Sequence, residues 1–161
     1  METVEKIRQH MADDLQPQEK VLYGTSGMRV GEVRKAMIGG ALGIAGAVGA
    51  AAVAATTRRA ATVPGTSIQL PKRFYFGLTN QRLLVFAAGG ALVAKPKDLL
   101  HSYSYEQVAW ITDELIPGVA KAYRVSIGIV DTGVLNLEFA RLQVADARPM
   151  VSRVRSDMPK E

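Results

Sequence analysis

The chain contains no cysteine, which excludes disulfides, thiolate metal sites and cysteine nucleophiles and fits a reducing compartment. Histidine is nearly absent. His10 and His101 are the only imidazoles, and with no shared spacing they form no metal-binding pattern. His101 stands beside Ser102 and Tyr103 without a linked Asp, and no G-x-S-x-G elbow occurs, so nucleophilic catalysis has no foothold. The opening METVEKIRQHMADDLQPQEK mixes acids and bases and lacks an apolar stretch, so no secretory signal is expected. Acids are missing from one long block. From Val33 to Lys97 stand nine bases (Arg34, Lys35, Arg58, Arg59, Lys72, Arg73, Arg82, Lys95 and Lys97) and no Asp or Glu, while the other residues hold eleven bases and fifteen acids. A balance of +9 in one block against −4 elsewhere makes a directed field, whose natural partners are anionic lipid or nucleic-acid phosphates.

What is present, over 161 residues, suits one ordinary domain with a real core. Val4, Ile7, Met11 and Leu15 recur at helical spacing up to Pro17, predicting an amphipathic helix over 1–17 whose stripe packs on its own domain or, as the alternative, pairs with another subunit. Val21, Leu22 and Tyr23 predict a short strand running into Gly24 and Gly27, and the Pro and Gly of TVPGTSIQLPK predict a loop. RFYFGLTNQRLLVF reads as two strands, Arg73 to Thr79 and Arg82 to Ala87, with Phe74, Phe76 and Leu78 on one buried face. HSYSYEQVAWITDEL reads as one further β-rich run, with Trp110 as core or rim packing. A hairpin turning at Asp131, Thr132 and Gly133 alternates Val125, Ile127 and Ile129 with Leu135, Leu137 and Phe139. Val144, Ala147, Val151, Val154 and Met158 predict a closing helix, with Asp146 as N-cap and Pro149 in the first turn. The simplest assembly is α+β, a small sheet structure closed by the final helix.

The run Leu78, Thr79, Asn80, Gln81, Arg82, Leu83, Leu84, Val85, Phe86 resembles the signature of the pleckstrin-homology superfamily, in particular the GRAM and bacterial PH-like domains. EKVLYG resembles their first strand and SYEQVAWITDEL a later one, so the resemblance extends over 18–158. It implies a split, bent antiparallel barrel plugged by the C-terminal helix, occupying 18–161, and a role in binding lipid, peptide or other subunits. The motif is a hairpin whose turn calls for a residue such as Asn that tolerates left-handed backbone. One departure stands out. Relatives have a modest loop between the first two strands, where this chain carries a long insertion, with an apolar block at about 34–59 in place of a headgroup motif.

That block, Ala36 to Ala55, is twenty residues, enough to span roughly 30 Å as a helix. Its strongly apolar residues are Ile38, Leu42, Ile44, Val48 and Val53, contributing on the order of −1.5 to −3 kcal/mol to insertion. The five glycines oppose helix formation. If the strands on either side share one sheet, a single crossing would separate them. The flanks, Arg34 and Lys35 against Arg58 and Arg59, give no positive-inside asymmetry. Gly39, Gly43, Ala47 and Ala51 follow at four-residue steps and make a flat face suited to close helix contact. Insertion into a membrane without crossing, self-association or packing on the domain, and true spanning all stay open.

GGALGIAGAVG lacks both G-x-G-x-x-G spacing and a following Lys-Ser or Lys-Thr, so it is no phosphate cradle. Tyr75, between Phe74 and Phe76 beside Lys72 and Arg73, could stack a base, but it is alone on its face and nucleic acid is not the expected partner. The expectation is a non-enzymatic, cytoplasmic and membrane-associated module with no cofactor and no metal. Its headgroup candidates are Arg34, Lys35, Arg58, Arg59, Lys72 and Arg73. Its expected partners are anionic lipid or a membrane protein; the alternatives are a homo-oligomeric assembly protein and a single-pass anchored domain.

Overall fold

The structure is a computed structural model and describes residues 2–30, 62–90, 92–118 and 121–160. Helix α1 (Thr3–His10) leads to strands β1 (Val21–Arg29), β2 (Arg73–Thr79), β3 (Arg82–Gly89) and β4 (Lys95–Ser104). A 3-10 turn at Tyr105–Gln107 separates β4 from β5 (Val108–Ile116), so the single β-rich run expected there is two strands. The turn is held by Gln107, whose side-chain oxygen accepts the Ser104 N–H at 2.9 Å. Strands β6 (Ala122–Ile129) and β7 (Gly133–Ala140) form the expected hairpin, with Asp131 and Gly133 both at positive φ in its turn. Helix α2 (Val144–Asp157) closes the chain. It grows directly out of a 3-10 turn at Arg141–Gln143 and so begins earlier than expected. Gln143 is its N-cap, Asp146 lies in its first turn and Pro149 lies inside it.

All strand neighbours are antiparallel, in the order β4-β3-β2-β1-β7-β6-β5. Strand β1 is the corner. It pairs with β2 from Val21 to Met28 but with β7 only through Met28 and Arg29, so the sheet folds there into two halves, open between β4 and β5. Alternation then decides what fills the fold. Phe74, Phe76, Leu78, Leu83 and Val85 from one half meet Val125, Ile127, Leu135, Leu137 and Phe139 from the other, all buried. Helix α2 inserts Ala147, Met150, Val151 and Val154 into the same core, and full burial of each large side chain stabilises by about 1.5–3 kcal/mol. Asp113 on β5 ties the helix down, accepting from Tyr123 Oη at 2.6 Å and Arg155 Nη2 at 2.5 Å.

The outer face of the first half is covered as well. Ile7 and Met11 bury against Val21, Tyr75, Leu84 and Phe86, with Val4 and Leu15 packed alongside, so the apolar stripe of the N-terminal segment packs on its own sheet. The regular helix is shorter than the stripe, since Met11 already lies in the turn after it. This double coverage explains why β2 and β3 read as near-continuous apolar runs.

Candidate functional site

The signature run sits at one end of the first half-sheet and is a structural latch. Thr79 Oγ1 donates to Glu19 Oε2 at 2.6 Å and accepts the N–H groups of Gln81 and Arg82 at 3.0 and 2.9 Å. Arg82 grips both oxygens of Glu19, at 2.8 and 3.1 Å, and the Glu19 side chain is fully buried. Asn80 accepts the Lys20 N–H at 2.8 Å and donates to the Gln18 carbonyl at 3.0 Å. Asn80 is not left-handed, contrary to the turn chemistry expected from sequence; its side chain is needed to clamp the approach to β1. Desolvation would raise the Glu19 pKa, but hydrogen bonds from Arg82, the Gln16 N–H and Thr79 outweigh it and hold the carboxyl below its usual range.

The opposite end holds the exposed bases among the expected headgroup residues. There the chain leaves β1 after Arg29 and returns through 62–72, which runs beside β7: Ser67 bridges Val134, and Ile68 N–H donates to the Val134 carbonyl at 2.8 Å. His101 fastens this return, its Nε2 lying 2.8 Å from the Gln69 carbonyl oxygen, and Tyr103 Oη reaches His101 Nδ1 at 3.3 Å. Both ring nitrogens are thus engaged in holding structure. Met28 pairs with Arg73, and the Lys72 carbonyl accepts the Arg29 N–H at 3.0 Å, so the two ends of the insertion are joined in one sheet.

Beside that junction a groove of about 300 Å³ opens on the outer face of the sheet. Ser26, Met28, Arg73, Tyr75, Gly89 and Gln143 line it, together with Phe74 and several glycines and alanines. Of the expected headgroup residues, Lys72 and Arg73 are exposed here. Arg34, Lys35, Arg58 and Arg59 lie outside the described residues. So do the apolar Ile38, Leu42, Ile44, Val48 and Val53 and the small-residue face of Gly39, Gly43, Ala47 and Ala51. Tyr75 is outward, as alternation requires, but α1 covers it to 4% exposure, which leaves no open ring for base stacking. Burial pushes its phenol up while the nearby Arg73 cation opposes the shift.

The sequence reading singled out no residue of the β3–β4 turn. Leu92 and Val93 stand there almost bare, next to Lys95 and Lys97, and Leu142 is bare on the β7–α2 junction. The available signal was GGALVAKPK, where two glycines precede apolar residues that fit no two-residue period. Trp110 is rim packing, in a small cluster with Ala109, Val63, Val130 and Val134. Among the described residues no group of acids and histidines could hold a metal, and no helix is long and apolar enough to cross a membrane.

The architecture has a solved counterpart. A crystal structure of a pleckstrin homology domain from Shewanella amazonensis SB2B is similar to the chain with a TM-score of 0.50 and 14% sequence identity, covering 94% of this chain and 96% of that one. No family model matches the chain, and no curated protein matches it. Identity this low speaks for the fold alone. With the corner strand, the two half-sheets and the plugging C-terminal helix in place, the chain has a pleckstrin homology-like α+β fold.

Proposed function

We propose that the chain is a non-enzymatic binding module that associates peripherally with anionic membrane through the basic-flanked apolar insertion. The observation that carries this reading is the gathering of exposed bases where the insertion leaves and rejoins the sheet: Lys72 and Arg73 at the start of β2, Lys95 and Lys97 at the start of β4. Lipid phosphates complement such a face, and each base close to an anionic surface contributes about 1 kcal/mol at low salt. Arg34, Lys35, Arg58 and Arg59 extend the same charge along the chain on either side of the apolar block.

Peripheral contact fits better than a single crossing. Because Met28 pairs with Arg73, the insertion starts and ends in one sheet, and one crossing between those residues would place hydrogen-bonded strands on opposite sides of a bilayer. The test is co-sedimentation with vesicles of phosphatidylcholine mixed with phosphatidylglycerol. Replacing Arg34, Lys35, Arg58 and Arg59 together by Gln should weaken binding by orders of magnitude, roughly 1 kcal/mol per base. Equal sedimentation of the variant and the unaltered chain would remove the reading.

A further inference from the structure

Strand β6 is buried on both faces along its whole length. Its inward residues Tyr123, Val125, Ile127 and Ile129 belong to the core between the half-sheets, so alternation turns Ala122, Arg124, Ser126 and Gly128 outward. Leu137 and Phe139 point inward from β7 in the same way, which puts Asn136 and Glu138 beside them on the outer face. A sheet face open to water would leave charged side chains exposed. Here Arg124 is 5% exposed and Glu138 0%, with Arg124 Nε donating to Glu138 Oε1 at 2.9 Å. The return segment covers the end of this face nearest the β6–β7 turn, where Val63 packs with Trp110 and Val134 and the Asn136 amide donates to Ser67. Arg124 lies further along β6. Two buried donors on the face, Arg124 Nη2 and Trp110 Nε1, have no hydrogen-bond partner among the described residues.

Both ends of the insertion border this face. The chain leaves at Met28 and Arg29, which pair with Glu138 and Leu137, and returns at Thr62, whose carbonyl accepts the Asp131 N–H at 2.9 Å. Between those points the sheet runs about 23 Å, at roughly 3.3 Å per residue, and the chain that joins them is 31–61, outside the described residues. As a helix, the block Ala36 to Ala55 would be about 30 Å long, enough to cover that distance. Composition matches as well. The block holds nine Ala and five Gly, and the outward row on β6 sets Ala122, Ser126 and Gly128 around Arg124, so two small-residue surfaces can bring backbone close to backbone.

We infer that the outer face of the second half-sheet is a docking face for this chain's own segment 31–61, with the Gly/Ala block laid along β6 and its backbone carbonyls accepting from Arg124 Nη2. A close-lying backbone supplies acceptors without a bulky side chain, which a row of alanine, serine and glycine beside the guanidinium calls for. The docking goes beyond the membrane reading and stands without it. Where the two meet, sheet and bilayer compete for the same residues, so vesicle binding has to draw the segment off the face.

The test uses the full chain, whose lack of cysteine lets a disulfide report a single pair. Ser126→Cys is combined in turn with Gly43→Cys, Ile44→Cys, Ala45→Cys and Gly46→Cys, successive positions that cover one helical turn at the middle of the block. Mild oxidation should form an intramolecular disulfide in at least one pair, well above the yield of the same partners with Ser152→Cys on the exposed side of α2. Ser126→Trp fills the face and should speed tryptic cleavage at Arg58 and Arg59 roughly tenfold. Yields no higher than those of the Ser152→Cys controls, together with unchanged cleavage, would overturn the docking, and sedimentation of the unaltered chain with phosphatidylcholine–phosphatidylglycerol vesicles would then leave the membrane reading standing alone. Loss of the disulfide when vesicles are added before oxidation supports both readings. A disulfide in a chain that does not sediment keeps the docking and removes the membrane reading.

Discussion

Glu19 shows how much one residue can hold. Its buried carboxylate joins the approach to β1, the hydroxyl of Thr79 and the guanidinium of Arg82. Glu19→Ala removes the carboxylate that neutralises Arg82, itself only 16% exposed, and should cost about 3 kcal/mol, read as a lower urea midpoint. Because the folded pKa of Glu19 is depressed, its contribution is fully present above the ordinary glutamate value of about 4.3 and is lost as pH falls through the folded pKa. Glu19→Gln should therefore flatten the acid limb of the stability curve. An acid limb unchanged by the substitution would show that the carboxylate carries no pH-linked stability. Gly128 is a second sensitive position. A Cβ there would lie 2.3 Å from the Trp110 ring, so Gly128→Ala should displace the indole, red-shift its fluorescence and destabilise by about 1–3 kcal/mol.

At the scale of elements, α1 is a lid on the outer face of the sheet, and its seat is cut to fit. A Cβ on Gly24 would come within 2.7 Å of Ile7 Cδ1 and 3.1 Å of the Val4 Cα. The first contact can yield by a side-chain rotation, but the second is backbone, so Gly24→Val must lift the helix. Hydrogen exchange should show α1 amides losing protection while β6 and β7 keep theirs, and an apolar dye should find Leu84 and Phe86. Full retention of α1 protection would refute this account of the seat. The opposite helix, α2, is tethered by Asp113. Desolvation would raise that carboxyl, but hydrogen bonds from Tyr123 and Arg155 hold it below its usual range, so the tether weakens as pH falls through the folded pKa.

On the scale of the whole molecule, the latch and the candidate basic site occupy opposite ends of the first half-sheet. Binding driven by the basic end should weaken steeply with ionic strength, because the screening length falls to about 8 Å at physiological salt. Vesicle affinity unaffected by salt would point away from charge. Gly43→Leu addresses the insertion itself. Under the membrane reading it adds about 1.5–3 kcal/mol of apolar side chain and should tighten vesicle binding while the particle mass from light scattering stays constant. A fall in mass with unchanged vesicle binding would favour assembly through the small-residue face instead.

The strands β6 and β7 were legible in the sequence because their apolar residues alternate onto the core face, and β2 and β3 because apolar runs covered on both faces are bounded by turn residues. The signature run likewise announced its hairpin, and the closing helix its buried face. What periodicity does not record is contact between distant segments. Asn80 looks like a turn residue, yet its bonds reach Gln18 and Lys20. Tyr75 looks exposed by alternation, and only the docking of α1 buries it. The groove and its apolar rims come from four stretches far apart in the chain, and Leu92, Val93 and Leu142 reveal their exposure only once every surface that could have covered them is in place. Sequence thus determined the elements through local pattern, while the candidate site was decided by tertiary structure, because burial and charge clustering are properties of where segments meet.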